Sequence, residues 1–294
     1  MGKTRMMFAA VIAVCALTAA ARELPVPPSW VTFLTRPYTL QPCNGHVQGM
    51  CVTSNAMYMT LHTGVYKFDW KGNLVKMAAA EKHTGDICWW KGRLYTANCL
   101  PDDQAGDLRG RIDVYDEDLN LVKQRKFART ADGIACVDGT LYVGLGPVND
   151  PAKPFRGNYF GKFDAETLEP LCEPFIVDHG HDVCAGVQDI ATDGERLYVN
   201  FYTPEEDTPC FFVFDLDFNV LGAHVFGWRN GHDVVGGGKN GAVRFVWVET
   251  VGWMGQKRDG STPPPQALVN YAELKDGKMS DISQHVIFRK PKER

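Results

Sequence analysis

Beyond its first 21 residues, the chain has no apolar run approaching the ~20 residues that a membrane-crossing helix needs. Basic charge is in the minority, with 31 Lys and Arg against 35 Asp and Glu and a formal net charge of -4. That leaves no basic footprint for nucleic acid as a partner. No two cysteines stand in a Cys-x-x-Cys spacing, which argues against a Cys-rich zinc site. A Gly-x-Ser-x-Gly stretch is missing, so nucleophile-elbow hydrolysis is not indicated. P-loop and dinucleotide fingerprints are missing too, so no nucleotide cofactor is expected.

What the N-terminus does carry is an export pattern. Lys3 and Arg5 precede an apolar run from Met6 to Leu17, and Thr18-Ala19-Ala20-Ala21 offers a small-residue cleavage site before Arg22. Residues 1–21 are therefore expected to be a secretory signal and residues 22–294 the mature domain, secreted or periplasmic and acting as a monomer. A lipoprotein reading through Cys15 needs a small residue where Val14 stands. Eight cysteines remain after the signal, an even count that export would allow to pair. Cys51, Cys88 and Cys136 fall where apolar strand residues belong and read as buried thiols; Cys172 and Cys184 flank a loop and are the first pair to test.

Five times the chain repeats one unit. Each opens on a polar cluster with a Gly or Asp and an aliphatic residue: His46-Val47-Gln48-Gly49-Met50, His83-Thr84-Gly85-Asp86-Ile87, Thr130-Ala131-Asp132-Gly133-Ile134, Gly186-Val187-Gln188-Asp189-Ile190 and Gly231-His232-Asp233-Val234-Val235. The anchors Met50, Ile87, Ile134, Ile190 and Val234 lie 37, 47, 56 and 44 residues apart. Alternating strands and acidic turns fill each interval. A period of about 40–50 residues with four strands per unit predicts an all-β fold, a five-bladed β-propeller of four-stranded antiparallel blades. The last blade is expected to end in a strand at 282–288, with the segment 30–40 as a further outer strand closing the ring. Trp89, Trp90 and Trp247 fall within strands and read as core.

The stretch Asp132-Gly133-Ile134-Ala135-Cys136-Val137-Asp138-Gly139-Thr140-Leu141-Tyr142-Val143 resembles the strand–turn–strand unit of NHL-type and gluconolactonase-type propellers. Asp189-Ile190-Ala191-Thr192-Asp193-Gly194-Glu195-Arg196-Leu197-Tyr198-Val199 is similar to it as well. The resemblance implies architecture, which hosts many functions. The gluconolactonase type would imply a metal held by Glu and Asn near the axis. The openings here carry His, Gln and Asp instead, so that activity is not carried over.

Loop lengths separate the two faces. First-to-second strand turns are short, whereas the second-to-third connections 100–110, 146–158, 203–210 and 251–266 are long. Function is expected on the long-loop face, where the five openings also converge. His46, His83, His232 and Asp132 are candidate ligands for one divalent metal ion, zinc or calcium. His83 with Asp86, and His232 with Asp233, are candidate acid–base pairs. Gln48, Gln188, Asp189, His181, Arg156 and Trp228 are candidate contacts to a small polar or carbohydrate ligand. The alternative is that these His and Asp residues cap inner strands. Two functions follow: an enzyme, hydrolase or lyase, acting on a carbohydrate-like metabolite, or a propeller that binds glycan or protein without turnover.

Overall fold

The computed structural model describes residues 47–62, 64–70, 73–80, 83–100, 108–147, 157–181, 186–202, 208–226, 231–237, 241–251 and 266–281. Blade one is β1 (Val47–Val52), β2 (Met57–Leu61), β3 (Gly64–Phe68) and β4 (Leu74–Ala79). Blade two is β5 (Thr84–Trp90), β6 (Arg93–Cys99), β7 (Gly110–Asp116) and β8 (Leu121–Phe127). Blade three is β9 (Ile134–Val137), β10 (Thr140–Pro147), β11 (Gly157–Asp164) and β12 (Phe175–Asp178). Blade four is β13 (Gly186–Thr192), β14 (Arg196–Tyr202), β15 (Phe211–Asp215) and β16 (Val220–His224). Blade five is β17 (His232–Gly237), β18 (Val243–Val251), β19 (Gln266–Lys275) and β20 (Lys278–Asp281). Each blade is an antiparallel meander in sequence order, which makes the chain a five-bladed all-β propeller.

Both faces of the inner strands are buried, and alternate side chains serve different neighbours. Met57, Met59 and Leu61 of β2 pack with Val246, Val248 and Tyr271 of blade five. Tyr58, between them, packs with Leu94 and Tyr115 of blade two. Similar apolar clusters join blades two and three, three and four, and four and five. The contact of blade five with blade one closes the ring.

The short-turn face repeats one device. Asp69, Asp116 and Asp215 each accept from the backbone N–H and the side-chain amide of the asparagine four residues on, at 2.7–2.9 Å. Leu119 and Phe218, just before two of those asparagines, sit at φ 58° and 63° with their side chains buried. The left-handed backbone costs roughly 1–2 kcal/mol, which burial of the side chain, about 2 kcal/mol, offsets. Lys67, Lys123 and Lys162 tie the turns that follow β7, β11 and β15 to the blade before, through the carbonyls of Glu117, Thr167 and Leu216.

Two sequence expectations shift. The fourth strand of blade five is β20, turned by Asp276-Gly277 at φ 48° and 71°, a two-residue hairpin of the primed type. The expected strand at 282–288 and the segment 30–40 lie outside the described residues. Trp89 is 42% exposed rather than core, because it stands near the end of β5 with its indole N–H donating to Glu117 Oε1 at 2.8 Å. Trp247 is buried as expected. Among the described residues no helix is long and apolar enough to cross a membrane.

Candidate functional site

The five inner strands start on the long-loop face, and their first residues build the site in layers. At the hub lie two carboxylates. Asp86 Oδ1 accepts from its neighbour Ile87 N at 2.7 Å, and Oδ2 accepts from Ile134 N at 3.0 Å and Ile190 N at 2.8 Å. Asp233 accepts from Val234 N and Val52 N, both at 2.8 Å. One amide from each of the five blades is thus bound by one of two aspartates. Both carboxylates are therefore occupied with backbone donors. The sequence-adjacent pairs are not the ones that meet: the histidines face carboxylates of other blades.

His232 Nδ1 makes a close contact with Asp189 Oδ1, both side chains being fully buried. Its Nε2 faces the Tyr198 carbonyl at 3.1 Å, and its ring meets Phe211 edge-on at 5.5 Å. Burial holds His232 down to about 3, so the ring is neutral. The Tyr198 carbonyl can only accept, so the proton of a neutral ring lies on Nε2 and Nδ1 is turned to Asp189. Asn200 Nδ2 adds a bond to Asp189 Oδ2 at 3.1 Å. The group lies between blades four and five, built into their packing.

The mouth itself is formed by His83 and Asp132. His83 Nδ1 is 3.7 Å from Asp132 Oδ1, with side chains 39% and 26% exposed. His83 stands at φ 64°, a left-handed backbone unusual for a bulky residue, held there by Cys99 N donating to its carbonyl at 3.0 Å. Its ring lies 5.0 Å from that of His62, which directly follows β2 of blade one. Gly85 is what lets the pair approach: a Cβ there would sit 2.6 Å from Asp132 Oδ1 and 2.8 Å from the Ala97 carbonyl. Burial lowers His83 from its ordinary value and pushes the Asp132 carboxyl up to about 8.

Asp233 is likewise pushed up to about 7 by burial. Both carboxyls release their proton near 3.8 when unfolded. The stability they lend is therefore complete below about pH 4 and drains away as pH rises through 7 and 8. The melting temperature is expected to fall between about pH 5 and about pH 8.5, and Asp132→Asn to flatten the slope. A melting temperature that climbs steadily over this interval would contradict it.

Gln48 and Gln188 meet across the axis, Gln188 Nε2 donating to Gln48 Oε1 at 2.8 Å. His181 follows β12, its ring 5.5 Å from Phe212. His46, Arg156, Trp228 and Cys184 lie outside the described residues. Of the four expected metal ligands, His83 and Asp132 come together and His232 sits between blades four and five. Among the described residues no three His, Cys, Asp or Glu side chains converge as a metal group. Cys51 and Cys136 are buried free thiols. Sequence reasoning missed Asn200. Its signal was the shared ending of two second strands, Leu94-Tyr95-Thr96-Ala97-Asn98 and Leu197-Tyr198-Val199-Asn200.

No family model matches the chain, and no curated protein matches it. Among solved structures it is similar to a GH43 β-xylosidase/α-arabinofuranosidase from a compost microbial metagenome, solved with xylotriose in a calcium-free form. That likeness has TM-score 0.52 and 14% identity, over 88% of this chain and 99% of that one. A thermostable family-43 glycoside hydrolase matches with TM-score 0.50 and 11% identity, over 84% of this chain and 97% of that one. The WD40 domain of Neurospora crassa Pan2 matches with TM-score 0.41 and 10% identity over 68% of this chain, which spans 60% of that domain's length. At these identities the likeness to the two glycoside hydrolases shows the fold alone.

Proposed function

We propose that the mouth is an acid–base site for a carbohydrate-like substrate, with lyase rather than hydrolase chemistry. The observation that carries this reading is the His83–Asp132 pair, 3.7 Å apart, part-exposed and out of reach of a normal hydrogen bond. Two glycoside hydrolases share the scaffold, which supports a sugar-type ligand. Two-carboxyl glycoside hydrolysis, however, needs groups about 5–9.5 Å apart that flank the sugar. His83 and Asp132 are closer than that and lie on one side, and Asp86 and Asp233 are bound to backbone amides.

A neighbouring base and acid suit elimination. Neutral His83 takes the proton from a carbon beside a carboxylate or carbonyl, the C–H electrons form the double bond, the C–O bond breaks, and Asp132 gives its proton to the leaving oxygen. The pair ends as imidazolium beside carboxylate and resets by passing one proton from His83 to Asp132. Export and the metal ion belong to the same proposal as features to be tested by secretion and elemental analysis.

In a screen of uronate-containing and neutral glycans, turnover should yield an unsaturated product detected by ultraviolet absorbance. His83→Ala should lower kcat/KM by about 10²–10⁴-fold. Activity should fall on the alkaline side near about 8 as Asp132 ionises, and on the acid side below 6.5 as His83 protonates. Glycan binding with no product from the wild type, unchanged in His83→Ala, would instead establish a binding propeller.

A further inference from the structure

The pair Gln48–Gln188 is harder to explain by folding alone than any other polar group near the axis. Each glutamine is the extra residue of a β-bulge. The register of β1 with β2 runs Val47↔Leu61 and then Gly49↔Thr60, skipping Gln48. That of β13 with β14 runs Val187↔Phe201 and then Asp189↔Asn200, skipping Gln188. Bulges re-aim side chains and recur beside functional sites. Here two of them, in blades that are not neighbours, turn two amides onto each other across the axis.

Two amides face to face can make two hydrogen bonds, and these make one. Gln48 Nε2, a donor, and Gln188 Oε1, an acceptor, are both buried and find no hydrogen-bond partner. A pair kept only to close the axis would gain by satisfying them or by being apolar. What the leftover atoms complement is a group that accepts and donates at one atom, which is a hydroxyl. Depth agrees: counted back from the aliphatic anchors, Gln48, Asp132 and Gln188 each stand two residues before theirs. Asp132 at that level is still part-exposed, and its Oδ1 is likewise unpartnered. The mouth therefore reaches the level of the two amides.

From this we infer that Gln48 and Gln188 form the specificity-determining floor of the mouth, reading one hydroxyl of a polyhydroxylated ligand through Gln48 Nε2–H and Gln188 Oε1. This rests on the reading of the mouth as a carbohydrate site and deepens it. A buried water can meet the same two atoms in the free protein, and the ligand hydroxyl replaces it.

The test compares wild type with Gln48→Met/Gln188→Met, which keeps shape and removes both amides, and with His83→Ala. D-xylose, D-glucose and D-glucuronate are titrated calorimetrically, and melting temperature is recorded beside each titration. Expected are binding of at least one sugar by the wild type and a melting temperature of the double variant that is unchanged or higher. Its binding should be weaker by about tenfold or more, as when a site loses its partners for a ligand hydroxyl. A markedly lower melting temperature in the double variant would make the pair a structural tie and overturn the inference, leaving the mouth reading in place. Unchanged binding in the double variant, with loss in His83→Ala, also overturns the floor alone. No binding of any of the three sugars by the wild type overturns both.

Discussion

Replacing Asp86 with alanine is expected to destabilise the protein by about 4 kcal/mol, because three buried amide N–H groups lose their acceptor at roughly 1–3 kcal/mol each. The amides belong to Ile87, Ile134 and Ile190, on three successive inner strands. Water cannot replace the carboxylate where Asp86 is fully buried. The loss should appear as a fall in melting temperature of roughly 10 °C. Asp86→Asn should recover only part of it, since its NH₂ turns a donor toward amides that need an acceptor. The control is Asp116→Ala, which removes an equally dense set of bonds on the exposed short-turn face, where water substitutes. Comparable losses in the two variants would show that Asp86 is no keystone.

Gly231→Ala should be of similar severity for a different reason. A Cβ at Gly231 would overlap the Gly49 carbonyl carbon and the Met50 nitrogen of blade one. Both sides of that contact are backbone, so neither can swing away as a side chain would. The Gly231 carbonyl is also held, accepting from Val248 N at 3.0 Å. Blade five must therefore retreat from blade one where the ring closes, at about 3 kcal/mol or more, the upper range for overpacking. Gly241→Ala separates overlap from backbone strain: Gly241 has φ 76° but nothing within 4 Å of its would-be Cβ. Its loss should be near 1 kcal/mol, measured by denaturant unfolding. Equal losses at the two glycines would remove the steric argument.

Much of the architecture could be read from the chain because it rests on short-range signals. The five openings, the aromatic strands and the two-residue turns Lys91-Gly92 and Asp138-Gly139 are local, and all reappear, the turns with positive φ at both residues. Asp276-Gly277 carries the same hairpin signal, because Asp-Gly answers directly to the primed turn, and β20 follows it. The site was legible as a set and illegible as pairs. His83 and Asp86 are three residues apart in sequence, yet the strand sends Asp86 to the axis amides and leaves His83 facing Asp132 of the next blade. Partners that come from different blades leave no spacing to read. The half-satisfied amides of Gln48 and Gln188 were visible only as polar residues at equivalent openings, since bulges are register events between strands.

Five strands served by two aspartates cannot be shared evenly. Asp86 gathers blades two, three and four, and Asp233 gathers five and one. The apparent fivefold wheel is, at its hub, a trio joined to a couple, with two seams that neither aspartate crosses. One seam, between four and five, is stitched by His232 and Asp189. The other, between one and two, is where His62 faces His83. His83 thus stands at a joint of the wheel through His62, while its partner Asp132 belongs to blade three, inside the trio.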